Sequence, residues 1–487
     1  MNTPHSADEL HTKVLASLTP LYEQLRSHAN WKCEVKSGDC SPASFLEDVS
    51  VNIWEGRDAN AQAANMTPSL ADYGRVTVYL SIPPFVFGSW AKAAVDNWGE
   101  GSQNRVHVAA EKPFGTGLED AGKLYSELMD AGVPEGNLHL VDHWLSFFMV
   151  KHMPSWQQLF ERHLDATWGR AGIQQIKVTQ AETRGLEGRG AFFDGVGQVR
   201  DMIQSHLLQV VALVLADPKA SSRVAGKEAV LNATKVVGCR HGQYDGFLLE
   251  PHLTYHRSFA DATFCNVLLD VDLDDWKDVP VLIGTGKDMG TTLYTVDIYQ
   301  RYGAGVLTLE IGMEETGSGG VRVKDWPLTD SNPFTVPAPG FKDGATMQAT
   351  PAVNDGNGYI LQYSSEDLYF PKPYAVMASA LLTRDYGAYF VTYPECKRSW
   401  EIVTASSKAK CLDPPPEEVL VYKPPASCGH APPAICQENR TVRDLYDKTF
   451  SCSPSHDSSY ANVSFYEAKC HPHERLQEEE KQLKIYI

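Results

Sequence analysis

The sequence predicts two successive architectures: an α/β unit with a parallel sheet, then an α+β unit built on a large antiparallel sheet with helices on one face. Three observations carry this reading. Short strand-like runs alternate with helix-compatible stretches up to about residue 145, which is the grammar of βαβ units. From about residue 172 the strand-like runs follow one another with few helical stretches between them, and this favours antiparallel pairing. Finally, 487 residues of 43% hydrophobic and 21% charged composition suffice to bury more than one large core.

In chain order, residues 7–28 (ADELHTKVLASLTPLYEQLRSH) place apolar side chains at helical spacing and predict one amphipathic helix with a bend at Pro20. Three strands follow: VSVNIW from Val49, RVTVYLSI from Arg75 and RVHVAA from Arg105, with the helical SWAKAAVDNW between the second and third. The third strand runs into EKPFG, a helix spans LEDAGKLYSELMDAG, and the apolar run LHLV forms a fourth strand that delivers Asp142 and His143. Residues 147–167 read as helical and GIQQIKVTQAET as a strand; EGRGAFFDGVGQVRD reads as a glycine-rich turn and DMIQSHLLQVVALVLAD as one long buried helix. Further strands are ATFCNVLLDVDL, VPVLIGT, TLYTVDIYQ and GVLTLEIG, and helices return at YAVMASALLTRD and ECKRSWEIVTASSKA. Beyond Leu412 the prolines of DPPPEEV, KPPAS and APPA predict an extended tail. The domains are placed at 1–145, 146–408 and 409–487.

Composition excludes several functions. A net charge of −18 (43 basic against 61 acidic side chains) repels a nucleic-acid backbone, and no basic patch offsets it. The longest apolar run, Leu207 to Ala216, is about half of the ~20 residues a membrane span needs. The N-terminus shows no secretory leader, so cytoplasm or an organelle is expected. Against this stand six cysteines from Cys396 to Cys470, which would suit an oxidising compartment, and sequons at Asn65, Asn232, Asn439 and Asn462, which a chain of this length also yields by chance.

Four clusters carry chemistry. Lys112 follows one strand, Asp142 and His143 follow the next, Glu182 and Glu187 flank the glycine-rich turn, and Asp201 and His206 share a helix. Strand ends of a parallel sheet are where ligands bind in open α/β folds. A histidine oriented by a carboxylate is the usual base for a hydroxyl proton near neutral pH. No cysteine or histidine spacing points to a metal.

Together VAAEKPFG, VDHWLSFF, EGRGAFFDGVGQVRDMIQSHLLQ and VPVLIGTGKDM resemble, in order and spacing, the glucose-6-phosphate dehydrogenase family, whose patterns are EKPFG, DHYLGKE, EGRGGYYD with RDxxQNHLLQ, and a later strand ending in GK. The resemblance covers roughly residues 8–408 and implies an incomplete Rossmann-like parallel-sheet domain before the antiparallel-sheet domain. It implies His206 as base, Asp142 as the carboxylate that orients it, and Asp201 and Glu182 as ligands of sugar hydroxyls. His143 and Lys287 match phosphate- and sugar-side ligands, and Lys112 the lysine between sugar and nicotinamide. NADP is the implied cofactor, met by Pro83, Glu111, Lys112 and Pro113, and a homodimer or membership of a larger complex is the implied assembly.

Two departures matter. The tyrosine and lysine of DHYLGKE are replaced by Trp144 and Phe147, and the basic pair after GTGK by Thr292 and Leu293. A charge-assisted hydrogen bond to phosphate contributes about 1.5–3 kcal/mol, so sugar-phosphate binding should be weaker by roughly two to four powers of ten. Lys151, one turn past Phe147, is the nearest replacement in sequence. Second, the chain begins at what would be the family's next helix, without the GxxGDL turn whose amides grip pyrophosphate; NADP would lack its main anchor. The strand missing with that turn is central in the 3-2-1-4-5-6 order. Three arrangements stay open: a preceding segment, pairing of VSVNIW with RVTVYL, or a partner chain in the slot. These departures point first to a non-catalytic structural or assembly subunit. The alternative is an active, divergent NADP-dependent sugar or sugar-phosphate dehydrogenase, and the third reading is a neutral-sugar-binding protein.

Overall fold

The structure, a computed structural model, describes residues 74–99, 105–163, 167–244, 261–289, 292–303, 305–311 and 373–405, with short stretches at 59–61, 63–64, 246–247, 321–324, 335–337, 346–351, 359–363, 411–412 and 419–422 and isolated positions elsewhere. The helix expected over 7–28 (Thr12 apart, which is helical), the strand expected at Val49 and the sequence beyond Tyr422 lie outside the described residues.

The first sheet is parallel over β1 (Val76–Leu80), β2 (Val106–Ala110) and β3 (Leu138–Val141). Two amphipathic helices cover it. In α1 (Phe87–Trp98) the buried Phe87, Ala91, Ala94 and Trp98 recur every three or four residues and form one apolar stripe. In α2 (Leu118–Asp130) Ala121, Leu124 and Leu128 do the same, while Glu119 and Lys123 pair at 2.8 Å on the solvent side. Much later in the chain β14 (Phe390–Val391) returns to pair antiparallel with β3. Among the described residues β1 has no neighbour on its outer side.

The chain then runs through α3 (Met153–His163) to β4 (Ile173–Ala181), the start of an eleven-stranded sheet. Its members include β5 (Thr234–Tyr244), β6 (Phe264–Val271), β7 (Val281–Gly286), β8 (Leu293–Gln300) and β9 (Val306–Glu310), with β10 (Val321–Lys324), β11 (Thr335–Pro337), β12 (Thr346–Pro351), β13 (Tyr359–Tyr363) and β15 (Val419–Tyr422) beyond. The order is β11-β12-β13-β10-β9-β8-β4-β7-β6-β5-β15. Most pairs are antiparallel as expected, but β4 pairs parallel with β7 and β5 parallel with β15. β15 also puts a strand where only extended tail was expected.

The long buried helix is corrected in kind. Residues Val199–Leu207 wind as a π-helix, and only Leu208–Leu215 (α4) is α-helical. All eight side chains of α4 are buried, so its last carbonyls cannot reach water and need protein donors. The indoles of Trp168 and Trp276 and the amide of Gln157 supply them, donating to Val214 and Leu215 at 2.7–3.1 Å. Next, α5 (Arg223–Ala233) is capped by Ser222. It meets α7 (Tyr393–Thr404) through Lys227 and Glu395, an ion pair at 2.9 Å with both side chains fully buried. The remaining long helix, α6, spans Pro373–Thr383. No described helix is long and apolar enough to cross a membrane.

Candidate functional site

Four chain segments converge on one cavity of about 330 Å³. The first leaves β2 as Glu111-Lys112-Pro113 and turns at Gly115. There φ is +84° and an added Cβ would lie 2.5 Å from the Ala121 amide nitrogen, so only glycine closes this turn against α2. The second leaves β3 at Asp142, whose carboxylate caps the following turn by accepting from the Trp144 amide at 3.0 Å. The third is the π-helix carrying Asp201 and His206, and the fourth comprises the ends of β4 and β7.

The parallel pairing of β4 with β7 places Ala181 opposite Gly286. Glu182 and Lys287, the next residues on each strand, therefore leave the sheet side by side, and they pair at 3.2 Å. Gln180 donates to Glu182 at 2.9 Å and holds it from below. The π-winding has an equally direct effect. Residues five apart on an α-helix point about 140° away from each other. The wider i→i+5 turn brings them toward one face, and Asp201 and His206 both line the cavity.

His206 and Asp142 meet at 2.5 Å between Nδ1 and Oδ1, with side chains 1% and 3% exposed. Lys112 donates to the Asp201 carboxylate at 3.1 Å and to its main-chain carbonyl at 3.0 Å, while Lys287 also lies 3.7 Å from Asp201. Burial pushes His206 well below its usual value, with Lys112 acting in the same direction. Burial likewise lowers His143 to about 3. Burial raises Asp142 to about 6. The same burial would raise Asp201, but the two lysines outweigh it and hold that carboxyl down at about 2. Both imidazoles are thus neutral at pH 7. His206 Nε2, buried at the cavity wall, has no hydrogen-bond partner among the described residues, and neither has Asp142 Oδ2.

Beside the histidines the lining is aromatic. Trp144 lies nearly parallel to His206 at 5.7 Å, Phe147 stands edge-on to Trp144 at 5.3 Å, and Tyr294 lies 5.5 Å from Trp144. Phe147 is 1% exposed. These rings wall the cavity rather than fill it. Lys151 does not reach back to it; its ammonium lies 5.6 Å over the Phe148 ring.

The structure thus brings Lys112, His143, Glu182, Asp201, His206 and Lys287 to one cavity, with Asp142 directly behind His206. Pro83, Glu111 and Pro113 sit at the same end of the parallel sheet but outside the cavity lining. Glu187 is exposed, beside Arg184 at 3.8 Å. Sequence reasoning missed Arg189, Phe193 and Tyr294, which also line the cavity. Arg189 lies inside a motif already noted, and Tyr294 lies in a strand whose parity was readable, but neither fact placed them here. Ligating atoms of Asp142, His143 and His206 lie within 4.8 Å of one another; such a set suits a transition metal, although the Lys112 ammonium opposes a second cation there. Of the crowded C-terminal cysteines, Cys411 is joined to Cys239 on β5 and Cys396 is a buried free thiol. The others from Cys428 on lie outside the described residues.

A parallel sheet whose strand ends meet a large mixed sheet across a cavity with a carboxylate-oriented histidine defines an α/β plus α+β protein with a candidate ligand site at the junction of its two sheets. Comparison with known proteins narrows this. The family model for the glucose-6-phosphate dehydrogenase NAD binding domain matches residues 22–152, and that for the C-terminal domain matches residues 158–313. The glucose-6-phosphate 1-dehydrogenase of Saccharomyces cerevisiae is 27% identical over 364 residues, 71% of this chain and 68% of the yeast protein. Glucose-6-phosphate 1-dehydrogenase 1 of Mycobacterium tuberculosis is 32% identical over 237 residues, 47% of this chain and 49% of its own length. A solved glucose-6-phosphate dehydrogenase in complex with glucose-6-phosphate superposes with a TM-score of 0.66 at 22% identity, covering 87% of this chain and 86% of that one. The enzyme from Mycobacterium avium gives 0.62 at 20% identity, with the same coverage. The chain belongs to the glucose-6-phosphate dehydrogenase family.

Proposed function

We propose that the cavity binds a polyhydroxylated ring and that His206 removes the proton from one of its hydroxyls, as the first half of an alcohol oxidation. The observation that carries this reading is the buried pair itself. Asp142 accepts from Nδ1–H, which fixes the tautomer and leaves the Nε2 lone pair facing the cavity without a partner. A neutral imidazole in that state is a base, and burial keeps it neutral. Around it Lys112 with Asp201 and Lys287 with Glu182 present alternating donors and acceptors, the array that vicinal hydroxyls require. In this reading residues 1–145 are the cofactor-type domain, residues 146–408 bind substrate, and residues 409–487 form an extension.

The hydride released with that proton needs an acceptor, and a nicotinamide dinucleotide, when bound, supplies it. The described residues fit only part of such a group. Pro83, Glu111, Lys112 and Pro113 stand at the carboxyl ends of β1 and β2, where a nicotinamide would lie. The helix that follows this loop opens with Glu119 and Asp120, whose carboxylates oppose a pyrophosphate. No step is therefore derived through the dinucleotide.

The test is NADP reduction with glucose and with glucose 6-phosphate, run beside ligand-induced shifts in melting temperature. His206→Asn should lower turnover by about 10²–10⁴-fold and leave the ligand-induced shift in place. If the wild-type protein neither turns over nor is stabilised by any sugar, the reading fails and a structural role replaces it.

A further inference from the structure

The charges of the cavity do more than stabilise it. Its interior holds two ammonium groups, Lys112 and Lys287, and three carboxylates, Asp142, Glu182 and Asp201, counting Asp142 directly behind His206. Both ammoniums are already in ion pairs, at 3.1 and 3.2 Å, and the two histidines add no charge. Arg189 also lines the cavity, so with all three carboxylates ionised three cations face three carboxylates and the interior holds no surplus positive charge before any ligand enters. A phosphate placed among these groups would meet ammoniums already committed to carboxylates, and at the low effective dielectric of a buried site those carboxylates would oppose it.

The remaining wall offers an anion nothing either. Trp144, Phe147 and Tyr294 present rings there, and none of the three carries a cation. A phosphate seated against them would lose its water without gaining charged donors. The C–H face of a pyranose loses nothing by the same move, since an apolar ring face is what it packs against.

We infer that the cavity is built for an uncharged pyranose, and that it discriminates against the 6-phosphate ester and against sugar acids. This rests on reading the cavity as a polyol site. Among the lining residues Arg189 opposes it most directly, an exposed residue whose Nε donates to the Leu186 carbonyl at 3.3 Å.

Calorimetric titration of the full chain with glucose, galactose and their 6-phosphates tests this. The neutral sugars should bind at least about tenfold more tightly than the esters. Phe147→Lys should reverse that order by placing a cation in the aromatic wall. Because Phe147 is buried, the half-buried Tyr294→Lys serves as the second variant and should shift the ratio the same way. Tighter binding of glucose 6-phosphate by the wild-type protein overturns the inference, and loss of that binding in Arg189→Ala would assign the ester to Arg189. If that result came with turnover dependent on His206, the proposed chemistry would stand while the inference fell. If no sugar binds at all, both fall together.

Discussion

Asp142→Asn should make the protein more stable while disabling it. Asp142 is buried, and its Oδ1 alone accepts from both the Trp144 amide and His206 Nδ1. Its Oδ2 has no partner among the described residues. The amide oxygen of asparagine can keep both bonds, so the substitution mainly removes a buried charge. The carboxyl is raised from 3.8 to about 6, which corresponds to about 3 kcal/mol. The sign follows from linkage. A raised value means that the folded state binds the proton more tightly than the unfolded state, so the cost of the charge is full above pH 6 and fades as pH falls toward 3.8. Asparagine escapes that cost, and its advantage should be about 3 kcal/mol at pH 7.5 and about half that at pH 5. Denaturant melts of both proteins at pH 5, 6 and 7.5 measure this, with turnover expected to fall by about 10²-fold or more. A variant that lost about 3–5 kcal/mol at pH 7.5 would behave as a broken buried ion pair. That result would refute the assignment of a neutral imidazole to His206.

Two further outcomes are expected. Lys227 and Glu395 form a fully buried ion pair at 2.9 Å, so Lys227→Met should cost about 3–5 kcal/mol by stranding the carboxylate. Adding Glu395→Gln, which keeps a group able to serve the α7 capping box, should recover much of that loss in urea melts. The Cys239–Cys411 bond closes a separation of 172 residues, for which chain entropy sets a stabilisation of up to about 5 kcal/mol. Dithiothreitol should therefore lower the melting temperature of the wild-type protein and leave that of a Cys239→Ala/Cys411→Ala variant unmoved; equal responses would mean that the bond does not form in solution.

Local pattern made much of the first sheet legible. β1, β2, β3 and both covering helices were readable because each buries a face whose period shows in the sequence. The strand ends followed, and with them Lys112, Asp142 and His143. What stayed hidden depends on non-local pairing or on helix winding. Nothing in GIQQIKVTQAET or VPVLIGT says that these strands run parallel, yet that pairing is what sets Glu182 beside Lys287. DMIQSHLLQ has the composition of an α-helix, and the five-residue spacing of Asp201 and His206 would disperse them on one. The π-helix that gathers them shows only in the fold. β15 was missed because a four-residue strand after a proline run finds its partner 178 residues earlier, Val419 opposite His241.

The aromatic substitutions and the preserved dyad acquire one explanation when the lysines are considered. Lys287 is 4% exposed, and Glu182 and Asp201 stand beside its ammonium at 3.2 and 3.7 Å. Those carboxylates are also the groups that would accept hydrogen bonds from sugar hydroxyls. In the proposed reading the same atoms therefore pair the lysines of the unliganded cavity and would accept from a polyol when one enters. A phosphate site needs surplus cations beyond those already paired, and the positions where the family resemblance expects them hold Phe147, Thr292 and Leu293. Losing those cations leaves the lysine–carboxylate pairs and the His206–Asp142 pair intact, because none of these interactions includes them. If the proposed chemistry holds, phosphate recognition and proton abstraction are separable at this cavity, and a loss of the first is no argument for a loss of the second.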